Sequence, residues 1–229
     1  MPRDVGVILV AAGRGARLGG APKQYRPIAG VPMVLRALRP FVAHPEVLHA
    51  VIVLPPDDAA SPPAFLVDLA GPALALVAGG AERSDSVAAG LRALAVECTV
   101  VLVHDAARPF PDPDVIGAVI GEARAGHGAV AAVPLTDTIK EASVGEPRRV
   151  LRTVPREVLW RAQTPQGFPR ALLAAAHERA RRDGPGATDD AALVERLGAE
   201  VRLVPDSPRN LKVTTAEDLE WAELWAARR

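Results

Sequence analysis

The sequence predicts an α/β fold: a Rossmann-like, mostly parallel twisted sheet with helices on both faces, plus a projecting β-arm. Three observations carry this expectation. Short apolar runs at residues 5–10, 50–54, 73–77, 99–103 and 128–133 are continuous rather than alternating, as strands buried on both faces are, and residues 201–204 make a last strand. Segments with helical spacing lie between them. Glycine-rich and charged stretches follow the strands directly, at the carboxyl ends where open α/β sheets receive ligands.

Taken in order, residues 5–10 form the first strand and open into a glycine-rich loop. Val31-Pro32-Met33 begins a helix with proline in its first turn, and Val34, Leu35, Leu38 and Phe41 share one face. Strand two at 50–54 leads through a proline-rich link to a helix near 64–69, then to strand three at 73–77. Gly79-Gly80 and a polar run containing Ser84 and Asp85, read as caps, introduce a helix carrying Val87, Leu91 and Leu94. That turn is either a plain strand-to-helix connection or a helix N-terminus placed to receive an anion or a polar base edge.

Strand four at 99–103, a helix at 114–123 and a strand at 128–133 continue the winding, and then the pattern fails. Residues 135–159 read as a two-stranded hairpin with too little apolar surface for a core of its own. Such an arm is expected to project and pack on a second copy, giving a homodimer. Trp160 to Gln166 precedes a helix begun by Pro169, Thr188-Asp189-Asp190 caps another, and the amphipathic helix from Ala216 is expected in the core. No repeat or linker divides the 229 residues, so one domain is expected.

Charge and composition narrow the function. Lys and Arg total 27 and Asp and Glu total 27, so no overall basic field exists to hold nucleic acid or an anionic membrane. Any anion must be held by local clusters. The single cysteine, Cys98, is expected to be a buried, inert thiol and suits a reducing cytoplasm. The first residues run straight into a strand and no apolar run reaches the ~18 residues of a membrane span, so a cytoplasmic protein is expected.

The loop from Val10 to Gln24 interleaves glycines with Arg14, Arg17 and Lys23. Glycines let backbone N–H groups approach a ligand closely, and the cations supply the charge a triphosphate needs. It is not a Walker A loop, because Lys23 follows Pro22 and precedes Gln24-Tyr25. Nor is it a dinucleotide fingerprint, because Leu18 stands where a small residue is required and strand two ends too late for the ribose-binding acid.

Strand four ends in His104-Asp105-Ala106-Ala107-Arg108-Pro109. A carboxylate at the tip of a central strand suits Mg²⁺, which favours one or two carboxylates plus phosphate oxygens, and Arg108 could grip a second phosphate. The two charges could equally form a structural ion pair. His104 reads either as a general base or as a hydrogen-bonded strand-end histidine.

Together, Ala11-Ala12-Gly13-x-Gly15-x-Arg17, Pro22-Lys23-Gln24, Asp85-Ser86-Val87, His104 to Pro109, Thr164-Pro165-Gln166 and Asn210-Leu211-Lys212-Val213-Thr214 resemble the 2-C-methyl-D-erythritol 4-phosphate cytidylyltransferase family. The resemblance runs from the first strand to the last helix. It implies transfer of a cytidylyl group from CTP to methylerythritol phosphate in non-mevalonate isoprenoid biosynthesis. It implies that Arg17, Lys23 and Lys212 neutralise the α-phosphate and the departing pyrophosphate. CTP would lie against Ala11, Ala12, Gly13, Gly15, Gly80, Ser86 and Ala107, and Asp105 would hold Mg²⁺. The acceptor would meet Asp105, Arg108, Thr164 and Thr188, with Thr138 and Arg156 reaching in from the partner's arm. Ala81 stands where the family often has an acid, and Leu18 where methionine is frequent. The alternative within the class is a ribitol 5-phosphate or another sugar-phosphate nucleotidyltransferase; a dinucleotide oxidoreductase is disfavoured by the missing acid after strand two, and a non-catalytic nucleotide-binding regulator has no reason to keep Asp105, Arg108 and Lys212 together.

Overall fold

The computed structural model describes residues 2–13, 22–184 and 187–228. In chain order its elements are β1 (Val5–Val10), β2 (Pro27–Ile28), β3 (Val31–Pro32), α1 (Met33–Val42), β4 (Val47–Leu54), α2 (Pro56–Ala60), α3 (Ala64–Val67), β5 (Leu74–Ala78), α4 (Arg83–Ala93) and β6 (Val100–Asp105). They continue with α5 (Pro113–Arg124), β7 (Gly128–Pro134), β8 (Ile139–Ala142), β9 (Val150–Val154), β10 (Trp160–Pro169), α6 (Arg170–Asp183), α7 (Asp190–Glu195), β11 (Val201–Pro205) and α8 (Ala216–Ala226).

Seven strands form one sheet in the order β11-β7-β10-β6-β1-β4-β5. The expected mostly parallel sheet is therefore present, with one difference near its middle. Residues 160–169, expected only as a lead-in to a helix, are strand β10, which runs antiparallel to both β6 and β7. Its ladder slips between Ala162 and Gln166, where Thr164 and Pro165 interrupt the pairing. A proline removes a ladder donor, which is why these residues do not read as a central strand.

Alternation along β1 divides the core in two. Val5, Val7, Leu9 and Ala11 face α1 and α5, through residues such as Val34, Phe41, Ile116 and Ile120. Ile8 faces the other layer, with Val51, Val53, Val101 and Val103 packed against Val87 of α4, Leu173 of α6 and Val194 of α7. Helix α4 lies so close to the sheet that a Cβ at Gly90 would sit 2.5 Å from Ile8 Cγ2. Cys98 is fully buried, and burial raises its thiol pKa, as the inert reading requires.

Local expectations shift in four places. Pro32 is the N-cap of α1 rather than a first-turn residue, and it pairs in the short β2–β3 ladder. The proline-rich link holds a helix, α2, because Pro56 occupies its first turn. The N-cap of α4 is Glu82, while Asp85 sits three residues inside and reaches back to the Glu82 N–H at 3.1 Å. Helix α8 is only partly core: Ala222 is buried, Leu219 and Trp225 are half-buried against Ile28, Met33 and Phe110, and Trp221 and Leu224 are exposed. No described helix is long and apolar enough to cross a membrane.

Strands β8 and β9 form a separate two-stranded sheet within residues 135–159, where the hairpin is expected. Val144, Val150, Leu151 and Val158 on this arm are exposed.

Candidate active site

The carboxyl ends of β1, β6 and β5 open into one cavity. Register pairs Val10 with Asp105 of β6 and with Val53 of β4, which in turn pairs with Val77 of β5, so these strands finish at one level and the loops after β1, β5 and β6 converge. The cavity is lined by Ala11, Ala12, Gly13, Lys23, Gly80, Arg83, Ser86, Asp105, Ala107 and Lys212, among others. Gly80 is confined by its neighbours, since a Cβ there would lie 2.3 Å from Asp85 Cβ. Its N–H donates to Ser86 Oγ at 3.2 Å, and Ser86 Oγ donates to Glu82 O at 3.2 Å. The turn into α4 is thus locked to the first turn of that helix.

A polar chain fixes the end of β6. His104 is fully buried, and its Nε2 lies 2.9 Å from Arg108 O. A carbonyl only accepts, so Nε2 carries the hydrogen and Nδ1 accepts from the Thr164 hydroxyl, also at 2.9 Å. Thr164 Oγ1 in turn accepts from the Asp105 N–H at 3.1 Å. Burial pushes the His104 pKa down to about 4, so the ring is neutral near pH 7. With both nitrogens engaged, it holds the strand end in shape, which is the hydrogen-bonded reading and not that of a base.

Asp105 Oδ2 lies 2.7 Å from Lys212 Nζ, and Oδ1 lies 3.3 Å from Arg83 Nε. Burial alone would raise this carboxyl pKa, but Arg83 and Lys212 outweigh it and hold the group well below the usual carboxylate range. Arg108 is not the partner of Asp105. Its Nη1 donates to Asn210 O at 2.7 Å, and burial lowers its pKa. The structural ion pair entertained between Asp105 and Arg108 is replaced by a bracket of Arg83 and Lys212.

Lys212 is delivered by the loop between β11 and α8. Asn210, only 1% exposed, donates from Nδ2 to Thr164 O at 2.7 Å and to Asp206 Oδ2 at 2.6 Å. Its carbonyl also accepts from Gln163 Nε2 at 3.0 Å. Lys23 Nζ donates to Val213 O at 3.3 Å, so two lysines from opposite ends of the chain line one cavity.

A second cavity adjoins the first. Arg108, Gln163, Thr164, Gln166, Thr188 and Asp189 line it, together with Arg83, Asp105 and Lys212, which both cavities share. Of the expected site residues, Ala11, Ala12, Gly13, Gly80, Ser86, Ala107, Lys23, Lys212 and Asp105 meet in the first cavity, and Arg108, Thr164 and Thr188 join Asp105 in the second. Gly15 and Arg17 lie outside the described residues. Thr138 and Arg156 belong to the arm region and line neither cavity; Arg156 donates to Thr136 O of its own chain.

Sequence reasoning misses Arg83, which lies within a run that reads as a helix cap. It also misses Asp190 and His177 behind it. Arg83 Nη1 pairs with Asp190 Oδ2 at 2.7 Å, and Asp190 Oδ1 with His177 Nε2 at 3.0 Å. Locally Asp190 reads only as part of a cap for α7, whose N-cap is in fact Asp189.

Among the described residues, no group of three or more His, Cys, Asp or Glu side chains could cage a metal. Asp105, held ionised, is the carboxylate that both cavities share. That fits a Mg²⁺ ion which takes its remaining ligands from phosphate oxygens and water.

Comparison with known proteins agrees with this architecture. The family model for IspD, 2-C-methyl-D-erythritol 4-phosphate cytidylyltransferase, matches residues 5–228. The enzyme of that name from Streptomyces coelicolor is 45% identical over 100% of this chain and 87% of its own length. The one from Pelotomaculum thermopropionicum is 45% identical over 96% of this chain and 92% of its own. Among solved structures, the cytidylyltransferase of Thermus thermophilus superposes with a TM-score of 0.79 at 36% identity, covering 96% of this chain and 98% of that one. The 4-diphosphocytidyl-2C-methyl-D-erythritol synthase of Anaerococcus prevotii gives a TM-score of 0.84 at 26% identity, covering 98% and 96%. With one model matching from β1 through α8, the chain belongs to the 2-C-methyl-D-erythritol 4-phosphate cytidylyltransferase family.

Proposed function

We propose that the protein joins CTP to 2-C-methyl-D-erythritol 4-phosphate, giving 4-diphosphocytidyl-2-C-methyl-D-erythritol and pyrophosphate, a step of isoprenoid biosynthesis. The observation that carries the reading is the pair of adjoining cavities sharing Arg83, Asp105 and Lys212. Two substrates seated side by side would meet at those three residues. CTP occupies the first cavity, against Ala11, Ala12, Gly13, Gly80, Ser86 and Ala107. The acceptor occupies the second, against Asp105, Arg108, Thr164 and Thr188.

A phosphate monoester oxygen, ionised at neutral pH, attacks the α-phosphorus in line. The new P–O bond forms as the bond to the β-phosphate's bridging oxygen breaks, and pyrophosphate leaves with the electron pair. No proton need be removed, which agrees with a neutral His104 whose nitrogens are both engaged. The protein's work is positioning and charge stabilisation. Lys23 and Lys212, with Arg17, hold the charge that grows on the departing pyrophosphate. Asp105 would hold Mg²⁺, which neutralises phosphate charge when bound.

The arm completes the proposal. Its exposed Val150, Leu151 and Val158 pack on a second copy, and Thr138 and Arg156 then serve the partner's acceptor site. The protein works as a single-domain homodimer in the cytoplasm. Pyrophosphate release from CTP, with and without methylerythritol phosphate and in Mg²⁺ or EDTA, tests the chemistry. Release is expected only with both substrates and free Mg²⁺. Release with ribitol 5-phosphate but not methylerythritol phosphate would reassign the acceptor. Sedimentation of the Leu151→Asp variant tests the arm, and a monomer is expected where the unaltered protein is dimeric.

A further inference from the structure

Arg83 stands apart from the other cations of the site because it is held on two sides by carboxylates. Its Nε faces Asp105 Oδ1 at 3.3 Å and its Nη1 faces Asp190 Oδ2 at 2.7 Å. Asp190 is 1% exposed and is itself held by His177 Nε2 at 3.0 Å. Two edges of the guanidinium plane are therefore fixed. Among the described residues the third nitrogen, Nη2, makes no hydrogen bond, and Arg83 lines both cavities. A planar fork anchored through two of its nitrogens cannot turn away, so the direction of its remaining N–H groups is set before any ligand arrives.

The anchor also reaches the wall of the second cavity. Asp189, next to Asp190, accepts from Gln166 Nε2 at 2.7 Å, and Gln166 Oε1 accepts from the Ala191 N–H at 3.1 Å. Helix α7 is thereby tied to β10, two residues beyond Thr164. Arg83, Thr164 and Thr188 are thus placed by one connected framework. Lys212, by contrast, has a 42% exposed side chain held through Asp105.

We propose that Arg83 is a further catalytic residue: a pre-oriented guanidinium that donates to a phosphoryl oxygen where the nucleotide and the acceptor phosphate meet. Asp190 and His177 are positioning residues that aim it. The inference rests on the cytidylyl-transfer reading above. A fixed donor costs no reorganisation as charge develops, so its contribution falls on turnover more than on nucleotide binding. Arg83 has a second effect through Asp105. While it holds Oδ1, Asp105 is shared between two cations, and Lys212 can leave for a phosphate without stranding an unpaired buried carboxylate.

The test uses the full chain with CTP, methylerythritol phosphate and Mg²⁺. Arg83→Lys keeps the charge but cannot bridge two carboxylates and still present a third donor. It is expected to lower kcat about 100-fold and to move the KM for CTP less than about threefold, measured well below the variant's own thermal midpoint. Arg83→Ala is expected to lose more and to regain at least about tenfold in kcat when guanidinium ion is added. A purely structural role predicts no such rescue. Retention of kcat within about threefold in Arg83→Lys, or a loss confined to the KM for CTP, would overturn the proposal. Should Arg83→Lys not fold, Asp190→Asn decides: it leaves Arg83 in place but weakens its anchor, and unchanged turnover would refute the positioning. If the unaltered protein releases no pyrophosphate from CTP with this acceptor, the functional reading itself fails, and with it the role given to Arg83.

Discussion

Asn210→Ala probes the latch that brings Lys212 to the site. The substitution deletes two donated hydrogen bonds, one to Thr164 O at 2.7 Å and one to Asp206 Oδ2 at 2.6 Å. The first leaves a buried carbonyl short of a partner, worth about 1–3 kcal/mol, and the second is charge-assisted, worth about 1.5–3 kcal/mol. The two share one side chain and are not additive, so a loss of about 3 kcal/mol is expected. For a chain of this size each kcal/mol shifts the midpoint by roughly 2–4 °C, giving a fall of roughly 6–12 °C by calorimetry or circular dichroism. Turnover measured well below the midpoint should fall about tenfold or more, because Lys212 lies two residues on and misplacement by an ångström is costly.

The isosteric variant sharpens the test. Asn210→Asp keeps the shape but sets a carboxylate beside Asp206, so at neutral pH it should be less stable than Asn210→Ala. Both neighbours of the amide nitrogen are acceptors, so the introduced carboxyl favours its protonated form in the folded state, and its pKa there is raised. The folded state then binds more protons than the unfolded one, and the variant's deficit should shrink as pH falls towards the ordinary carboxylate range. An Asn210→Ala midpoint within about 2 °C of the unaltered protein, or an Asn210→Asp variant as stable at pH 7 as Asn210→Ala, would refute the latch.

Other outcomes follow from the same geometry. Lys23→Ala and Lys212→Ala should each lower kcat by about 10²–10³, and the Lys212 change should leave the thermal midpoint nearly unmoved because that side chain is 42% exposed. Gly90→Val should cost about 3 kcal/mol or more in urea unfolding, since its Cβ would meet Ile8 Cγ2 at 2.5 Å and Val53 Cγ2 at 3.1 Å. Burial would raise the Asp190 pKa, but its bond to His177 and the charge of Arg83 outweigh that and lower it from the ordinary 3.8. A depressed folded-state value gives stability that is present above 3.8 and lost as pH falls through the folded pKa, so Asp190→Asn should flatten the acid limb of a stability profile below about pH 4.

The parallel strands were legible because most of them centre on a continuous apolar run, and the cavity-lining motifs because they follow those runs directly. Two kinds of feature were not. Strand β10 carries Thr164-Pro165-Gln166-Gly167 and is a strand only because β6 and β7 flank it, so its identity resides in tertiary pairing rather than in local pattern. Arg83 reads locally as the first turn of α4, and its partners stand 22 and 107 positions further along the chain. No spacing rule connects them. Asn210 was visible as part of a polar motif, but its four bonds to β10, Arg108 and Asp206 belong to the folded loop alone.

An evenly charged chain can still gather cations from distant segments at one site. Lys and Arg balance Asp and Glu at 27 each, so the field at the strand ends cannot come from composition. It comes from order. Lys23, Arg83, Arg108 and Lys212 arrive from the segment after β1, the start of α4, the loop after β6 and the loop before α8, and the sheet gathers them around Asp105. The antiparallel β10 is what makes room for the second cavity, since its interrupted ladder places Thr164 beside the β6 end and presents Gln163 and Asn210 to one another. A sheet with an unbroken ladder at that position would continue the hydrogen bonding past Thr164 and close the wall where the acceptor is proposed to sit. The proline that hides this strand in the sequence is therefore part of what opens the site.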